Sequence, residues 1–348
     1  MDAQSPPLRR GWTTGACATA AVKAALLKLW AGHFPDEVSI TLPRGETPDF
    51  ALEETEAGDN WAAAGIIKDA GDDPDVTHGA LITAKVTLGG DGIEFRAGKG
   101  VGTVTKPGLP LAVGEPAINP VPREMMRGVV EDLAQEYGTT PCVVIEISIR
   151  DGEDLAKKTW NPRLGIVGGL SVLGTTGVVR PFSCAAWIAS IHRGVDVARA
   201  TGLTHVAGCT GATSEKVVQA EYDLSEQAML DMGDFAGGLL KYLRKHPVER
   251  LTIGGGIGKM TKLAQGAMDL HSGRSQIDFD ALAKALGEPH ITDCNSALEV
   301  FEKYGEKFTE FVAIGALKTA REVLRDSPVA LDLILIDRAG NIIGRAAE

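Results

Sequence analysis

The spacing of apolar positions changes along the chain near residue 150. Before that point, short apolar runs are separated by clusters of Gly, Asp and Pro, at about 38–42, 50–54, 61–68, 81–88, 93–96 and 142–149. Links this short predict a mostly antiparallel sheet. Longer apolar stretches after Thr13-Thr14-Gly15 and from about Val121 to Tyr137 predict two helices.

From Arg163 onward, strand-like and helix-like segments alternate. Apolar runs predict strands at 164–167, 204–207, 250–253 and 329–336, and helices are expected at 182–200, 213–221, 233–245, 258–270, 279–286, 295–304 and 308–325. This alternation is typical of a doubly wound α/β sheet. The sequence therefore predicts an α+β domain with glycine- and proline-rich loops over residues 1–150, followed by a Rossmann-like doubly wound α/β domain over residues 151–348.

Composition narrows the class of partner. The chain has 348 residues, a net charge of −11 and 44% hydrophobic residues, which is ordinary for a globular protein. An acidic balance argues against a nucleic-acid or anionic-membrane binder. No apolar run approaches a membrane span and the start has no apolar signal core, so we expect a cytoplasmic protein with small-molecule or protein partners. A homo-oligomer stays an open alternative.

Glycines follow the apolar run Leu164–Val167 and precede a predicted helix. Gly168, Gly169 and Gly174, with Thr175 and Thr176, give the order strand, flexible loop, helix. Backbone without a Cβ lets a ligand approach, and a helix start offers unpaired N–H groups. The alternative is a packing turn with no ligand.

A second glycine loop follows the strand predicted at 250–253. Gly254, Gly256 and Gly258 form a G-x-G-x-G pattern before a helix. It is not a Walker A loop, since Met260 stands where Ser or Thr is needed, and no acidic residue precedes it. Cys209, within Gly208-Cys209-Thr210-Gly211, is either near a ligand or a small buried residue.

Carboxylates and one imidazole are concentrated between residues 69 and 79. Asp69, Asp72 and His78 are candidates for proton transfer, and the alternative is a solvated turn in which Asp side chains cap the backbone. The spacing does not match an EF-hand loop, and one histidine is too few for a transition-metal site. We therefore predict no resident metal.

Cations and hydroxyls lie in or beside the glycine-rich stretches, where an anionic ligand would need them. The hydroxyls are Thr13 and Thr14, which would also serve as helix caps without any ligand. The cations that we single out are Lys99, Lys106, Arg123 and Arg163. Single surface cations are ordinarily solvated, so only their position near the loops makes these four candidates.

Together these stretches resemble one family, the cobalt-precorrin-5B C1-methyltransferases of corrin-ring (vitamin B12) biosynthesis. The matching segments are GWTTGAC at 11–17, KDAGDDPDVTHG at 68–79, GVGTVTKPGL at 100–109, AINPVPR at 117–123, KTWNPRLGIVGGLSVLGTTGVVRP at 158–181, GDF at 233–235 and GGGIGKMTKLAQG at 254–266. The resemblance covers nearly the whole chain. One local departure lies in Asp269-Leu270-His271-Ser272, where the family pattern has Thr-His-Ser and this chain has Leu270 before His271.

The resemblance implies transfer of methyl from S-adenosylmethionine to C1 of cobalt-precorrin-5B, which gives cobalt-precorrin-6A. Cobalt is then part of the tetrapyrrole substrate, and the family's two-part α+β and Rossmann-like structure is expected. On this basis we expect the loops at 165–177 and 254–259 to bind the methyl donor. The segment 99–109, Arg163, Arg123, Thr13 and Thr14 would hold the macrocycle, and Asp69, Asp72 or His78 would move a proton.

Two other functions stay open at this point. A non-catalytic carrier or scaffold for a corrinoid intermediate would need the macrocycle site and no donor site. A dinucleotide-dependent tetrapyrrole reductase would fit a Rossmann-like half, but the chain lacks a G-x-G-x-x-G followed about 20 residues later by an acid.

Overall fold

A computed structural model describes residues 8–348, and the chain divides into two compact units, Met1–Ser183 and Cys184–Glu348. The division falls later than the boundary predicted at residue 150. The reason is that residues 166–179 contribute short strands that pair with strands from the first hundred or so residues of the same unit. The predicted mixture of helices and strands is confirmed.

The first unit contains many short strands and three helices in its described part. Its strands are β1 (Gly11–Trp12), β2 (Glu37–Ser39), β3 (Asp49–Ala51), β4 (Glu54–Ala57), β5 (Trp61–Ile67), β6 (Leu81–Leu88), β7 (Ile93–Ala97), β8 (Gly100–Val101), β9 (Thr103–Val104), β10 (Val143–Ile149), β11 (Ile166–Val167), β12 (Gly169–Leu170) and β13 (Val178–Val179). Its helices are α1 (Thr14–Ala31), α2 (Pro120–Glu136) and α3 (Gly152–Ala156).

The main sheet of the first unit has the order β4-β5-β6-β10-β7. Pairing is antiparallel from β4 through β10, although β6 and β10 are distant in sequence, and β7 runs parallel to β10 because α2 intervenes between them. Helix α1 packs on this sheet and on α2. Its start is capped by Thr13, whose Oγ1 accepts a hydrogen bond from the Ala16 N–H at 3.2 Å, and Gly32 ends it in the left-handed region.

The predicted strand at 164–167 is mostly absent, and the part that forms belongs to the first unit. Only Ile166 and Val167 are extended, and they pair antiparallel with Val104 and Thr103. Gly165 has a φ of +73°, which interrupts the strand just before Ile166. The stretch is therefore not the first strand of the second unit's sheet.

The second unit alternates strands and helices. Its strands are β14 (His205–Cys209), β15 (Met229–Leu230), β16 (Arg250–Gly256), β17 (Ala330–Ile336) and β18 (Ile342–Ala347). Its helices are α4 (Cys184–Ala200), α5 (Ala212–Tyr222), α6 (Ala236–Leu243), α7 (Ile257–Ala264), α8 (Phe279–Leu286) and α9 (Ala297–Leu324). Within α9, Gly305 has non-helical angles and separates two helical segments, close to the interruption predicted between 304 and 308.

The sheet of the second unit has the order β15-β14-β16-β17-β18, with every pair parallel except β17 with β18. Val218 of α5 packs with Ala207 and Ile334 in one apolar cluster. The larger cluster gathers buried side chains of α4 and α6 to α9 with the alternate strand positions Val206, Leu251 and Leu333. Because successive strand residues face opposite sides, helices cover both faces of this sheet.

None of the helices in the described range 8–348 combines the length and the apolar composition that a bilayer crossing needs.

Candidate functional site

The carboxyl edge of the second unit's sheet contains a topological switch point. From β14 the chain crosses to β15 on one side and then returns to β16 on the other, so the connections that leave β14 and β16 diverge. In open α/β sheets, ligands bind in the crevice that such divergence creates. The residues at this edge are Thr210 and Gly211 after β14, and Gly256 with the first turn of α7 after β16.

Three glycines at this edge have open space where a side chain would project. A Cβ on Gly211 or Gly258 would meet nothing within 4 Å, and one on Gly256 would meet only the Ile336 carbonyl oxygen at 3.8 Å. Gly256 has a φ of −73°, which any residue adopts, so backbone conformation does not require glycine there. Neither packing nor conformation explains these glycines, whereas a ligand lying against the backbone would.

Gly254 differs from these three because the protein itself occupies the adjacent space. A Cβ there would lie 2.6 Å from Val218 Cγ2 and 3.1 Å from the sulfur of Cys209. Cys209 is 2% exposed, and burial raises the pKa of its thiol to about 12. The thiol is therefore an unreactive packing group, which favours the second of its two predicted roles.

The segment Gly233-Asp234-Phe235 closes one side of the switch point. The Gly233 N–H donates to the Cys209 carbonyl at 3.0 Å, and Asp234 Oδ1 lies 2.9 Å from Lys259 Nζ. Lys259 Nζ also donates to the Thr210 carbonyl at 2.8 Å. Lys259 therefore connects both loops of the crevice to Asp234.

One oxygen of Asp234 takes part in the ion pair without accepting a hydrogen bond. Oδ1 is buried and accepts no hydrogen bond from the described residues, because its close contact with Lys259 lacks hydrogen-bond geometry. The Lys259 ammonium compensates the charge of this oxygen. A carboxylate has several acceptor positions, so the group can still accept a hydrogen bond from a ligand.

The other predicted donor loop, at 165–177, lies in the first unit, and its glycines have structural explanations. A Cβ on Gly169 would lie 2.3 Å from the backbone carbon of Gly100, and one on Gly174 would lie 2.3 Å from Thr13 Oγ1. Gly168 is exposed with a φ of +87°. Thr176 Oγ1 bonds the backbone of Val178, and Thr175 is exposed.

Thr13 and Thr14 are buried and their hydroxyls are engaged by the protein. Thr13 caps α1, as described above, and is 6% exposed. Thr14 Oγ1 accepts from the Leu173 N–H at 3.0 Å and donates to the Leu173 carbonyl at 3.2 Å. The capping role that the sequence left open is therefore filled by Thr13, whereas Thr14 attaches the start of α1 to Leu173.

Two of the three predicted proton-transfer residues hold the N-terminal segment. Asp69 pairs with the Arg9 guanidinium, whose hydrogen bond lowers the pKa of the Asp69 carboxyl, and Asp72 accepts from the Arg9 N–H at 2.6 Å. His78 has a half-exposed ring whose Nδ1 accepts from the Ala70 N–H at 3.1 Å. This contact leaves the proton of the neutral ring on Nε2.

A buried ion pair also holds the loop at 69–79 in place. Lys68 is 1% exposed, and its Nζ lies 2.6 Å from Asp75 Oδ2. Thr77 donates to the other oxygen, Asp75 Oδ1, from both its N–H and its hydroxyl. Burial raises the pKa of the Asp75 carboxyl, but the Lys68 charge and these hydrogen bonds outweigh it, so the pKa lies below its usual value.

The four predicted cations have different environments. Arg123 contacts Glu115 and the Ile118 and Pro116 carbonyls, so its guanidinium fastens the loop before α2. Lys99 is exposed. Lys106 packs its stem against Gly165, and the Arg163 guanidinium lies 5.3 Å from the Trp160 ring centre. Arg123 is therefore structural, whereas Lys99 is accessible.

Sequence reasoning did not assign roles to Thr210, Gly211 or Asp234. The signals were present as Gly208-Cys209-Thr210-Gly211 after an apolar run and as the GDF segment, but their proximity to Gly256 depends on sheet order. Within residues 8–348, no group of three or more His, Cys, Asp or Glu side chains is arranged to hold a metal ion.

Comparisons with known proteins identify the relatives of this chain. A protein of Brucella anthropi named cobalt-precorrin-5B C(1)-methyltransferase is 60% identical, and the match covers 97% of this chain and 95% of that protein. One of the same name from Paramagnetospirillum magneticum is 58% identical, with 99% of each covered. A crystal structure of a cobalamin biosynthesis protein (cbiD) from Archaeoglobus fulgidus is 29% identical, covers 77% of this chain and 83% of that one, and has a TM-score of 0.42. Residues 1–181 match the model of the CbiD family. By that match and by its identity to the first two proteins, the chain belongs to the CbiD family, which includes the cobalt-precorrin-5B C(1)-methyltransferases.

Proposed function

We propose that this chain is an S-adenosylmethionine-dependent methyltransferase that methylates C1 of cobalt-precorrin-5B and gives cobalt-precorrin-6A in corrin-ring biosynthesis. The observation that carries the proposal is the 60% identity, over nearly the whole chain, to a protein named for that reaction. Cobalt enters only as part of the substrate. The cytoplasmic location and the homo-oligomer stay predictions from the sequence.

The donor site that we propose is the switch point of the second unit. Gly211, Gly256 and Gly258 leave space against the backbone that a Cβ would fill. The first turns of α5 and α7 begin at the same edge, and their free N–H groups suit the carboxylate of the methionine moiety. The parallel sheet with helices on both faces supports the Rossmann-like interpretation of this unit.

Asp234 and Lys259 would position the donor. The Asp234 carboxylate, whose Oδ1 pairs with Lys259 without hydrogen-bond geometry, is suited to accept a hydrogen bond from an ammonium or a ribose hydroxyl, both of which the donor carries. Lys259 holds that carboxylate and the Thr210 carbonyl in place, so the crevice keeps its shape. The proposed donor-binding residues are Thr210, Gly211, Asp234, Gly256, Gly258 and Lys259, and Gly254 is not retained because Val218 and Cys209 occupy the space beside it.

Methyl transfer from a sulfonium requires few reactive groups from the protein. S-adenosylmethionine supplies an activated methyl on a sulfonium, and the electron-rich macrocycle supplies the carbon nucleophile, so no covalent enzyme intermediate is needed. The chain has to align the two partners and exclude water. We retain His78 as the candidate for moving a proton, because Arg9 engages both Asp69 and Asp72.

On the substrate side, Lys99, Lys106 and Arg163 stay candidates for contacts with peripheral carboxylates. Arg123, Thr13 and Thr14 are not retained, because their polar atoms are committed to the first unit's own loops. The loop at 168–176 is likewise not retained for the donor, because packing or positive φ explains the need for glycine at its three positions.

The decisive experiment is incubation of the protein with cobalt-precorrin-5B and S-adenosylmethionine, followed by mass spectrometry. We expect a product one methyl group heavier, and its absence with intact substrate would contradict the proposal. Calorimetric titrations with S-adenosylhomocysteine and NADPH identify the alternatives. A carrier would bind neither compound, and a reductase would bind NADPH.

A further inference from the structure

A groove of about 590 Å³ lies on the second unit between α4 and α6. Its size is within the range of small-molecule sites. Apolar side chains contribute to its lining, and three cations of α6 and the following turn lie at the same groove. The apolar residues are Ile188, Phe235 and Met268, and the cations are Lys241, Arg244 and Lys245.

The charge of the groove is positive. Lys241 and Lys245 are exposed, and the ammonium group of neither makes a hydrogen bond or ion pair with the described residues. Asp269 is the one carboxylate in the lining, and it is already paired with Arg274. In a chain of net charge −11, an apolar groove with unpaired lysines is suited to an anionic ligand with a large apolar body.

One wall of the groove is a rigid stack of flat rings. The Tyr242 ring stacks on His192 with centres 3.9 Å apart and planes 10° apart, and the His246 ring lies against Tyr242 at 4.3 Å with its plane tilted by 31°. The Tyr242 hydroxyl donates to Asp196 at 2.6 Å, which fixes the ring. Both Tyr242 and His192 line the groove, so they present aromatic surface to a planar ligand.

The groove adjoins the proposed donor site through three consecutive residues. Gly233 bonds the end of β14 and Asp234 pairs with Lys259, whereas Phe235 lines the groove. A methyl donor at the switch point and a ligand in the groove would therefore be separated by one short segment. Group transfer requires reacting atoms to approach to roughly 3–3.5 Å, so a shared boundary of this kind is necessary.

We propose that this groove binds one edge of the anionic tetrapyrrole substrate, with peripheral carboxylates on Lys241 and Lys245 and the macrocycle against Phe235 and the Tyr242–His192 stack. The inference rests on the proposed function, because it takes the substrate class from there. It adds a macrocycle surface in the second unit, where sequence analysis predicted none.

The test uses the double variant Lys241→Glu with Lys245→Glu in the full chain. The probe is uroporphyrin, a water-soluble tetrapyrrole with eight carboxylates, titrated by absorbance and fluorescence. We expect its dissociation constant to rise by at least about tenfold, since two charge-assisted contacts are lost. A tetracationic N-methylpyridyl porphyrin, which has the same ring without carboxylates, should bind the variant no more weakly than the wild type.

The matched control is Lys284→Glu with Lys318→Glu, which makes the same change of charge on exposed lysines of α8 and α9 outside the groove lining. Uroporphyrin should bind this control with less than a twofold change. Equal losses in both double variants, or no loss in either, would overturn the inference.

Methyl transfer separates this inference from the function on which it rests. If wild-type protein neither binds S-adenosylhomocysteine nor methylates cobalt-precorrin-5B, the proposed function fails. If it does both, and Lys241→Glu with Lys245→Glu leaves the KM for cobalt-precorrin-5B unchanged, only the assignment of the groove fails. A raised KM with unchanged S-adenosylhomocysteine affinity would support both.

Discussion

Two glycine-rich loops, one in each unit, follow apolar runs in the sequence but have different surroundings in the structure. In the first unit, the space beside Gly169 and Gly174 is occupied by the backbone of Gly100 and the side chain of Thr13. In the second unit, Gly256 and Gly258 have open space where a Cβ would project. The protein needs glycine in the first loop in order to pack, whereas neither packing nor backbone conformation requires glycine at Gly256 and Gly258 in the second.

The acidic loop of the first unit extends the same contrast. Its carboxylates are engaged with Arg9, with Lys68 and with backbone N–H groups, so the loop is held by the protein's own contacts. At the switch point, by contrast, the buried Oδ1 of Asp234 pairs with the Lys259 ammonium but accepts no hydrogen bond of good geometry from the described residues. Incomplete satisfaction of polar groups and space beside glycine therefore distinguish a candidate binding edge from a well-packed loop.

The largest expected effect is on the stability of the first unit. Asp75→Asn removes the charge opposite Lys68, which is 1% exposed, and should lower the free energy of unfolding by about 3 kcal/mol. Urea unfolding followed by circular dichroism measures this. Asp91→Asn, at an exposed loop position, is the control and should change the midpoint little; equal stability of the two variants would show that the loop is not held as described.

The next effect concerns the donor. Gly256→Leu should weaken S-adenosylhomocysteine binding by about a hundredfold, or roughly 2.8 kcal/mol, with little change in melting temperature, because the added side chain enters open space. Gly128→Leu is the control, since a Cβ there also meets nothing within 4 Å and the residue lies in α2 of the other unit. Retained affinity in Gly256→Leu would remove the donor from this edge.

For the glycine loop of the first unit we expect the opposite result, which is a loss of stability with donor affinity retained. Gly169→Ala places a methyl 2.3 Å from the Gly100 backbone and should cost about 2 kcal/mol of stability, whereas S-adenosylhomocysteine affinity stays within twofold. Gly128→Ala, in open space, should be neutral or slightly stabilising. Loss of affinity without loss of stability in Gly169→Ala would return the donor to the predicted loop at 165–177.

The smallest effect is a pH dependence of stability. The folded-state pKa of Asp75 lies below its unfolded value, so its contribution is complete above the unfolded pKa of about 3.9 and is lost as pH falls through the folded pKa. The stability difference between wild type and Asp75→Asn should therefore be constant near neutral pH and shrink below about pH 4. Urea midpoints between pH 7 and pH 3 measure it, and a difference that persists unchanged to pH 3 would contradict the assignment.

Local patterns predicted elements well where the elements are long. The helix expected at 279–286 is α8, and the strand expected at 81–88 is β6, with the same bounds. The two-residue strands β8, β9, β11 and β12 were not predicted as such, because each exists only through pairing with a distant partner. Residues 164–167 were placed in the wrong sheet for that reason.

The candidate site was predictable only in part. The strand, glycines and helix at 250–264 follow from local sequence, so Gly256 and Gly258 could be named. The position of Gly211 and Asp234 beside them depends on β14 lying between β15 and β16, which no local pattern specifies. Likewise, the burial of Lys68 results from tertiary packing and could not be predicted, because lysine is ordinarily exposed.

The pairing of β1 with β13 affects how the first unit is made during synthesis. Gly11 and Trp12 find their partners only at Val179 and Val178, so the unit cannot complete its structure until nearly all of it has been translated. At ordinary rates of synthesis this takes on the order of ten seconds or more. During that interval the apolar residues of α1 that are buried in the folded unit stay partly exposed to solvent. We therefore expect the nascent chain to bind a chaperone at the ribosome.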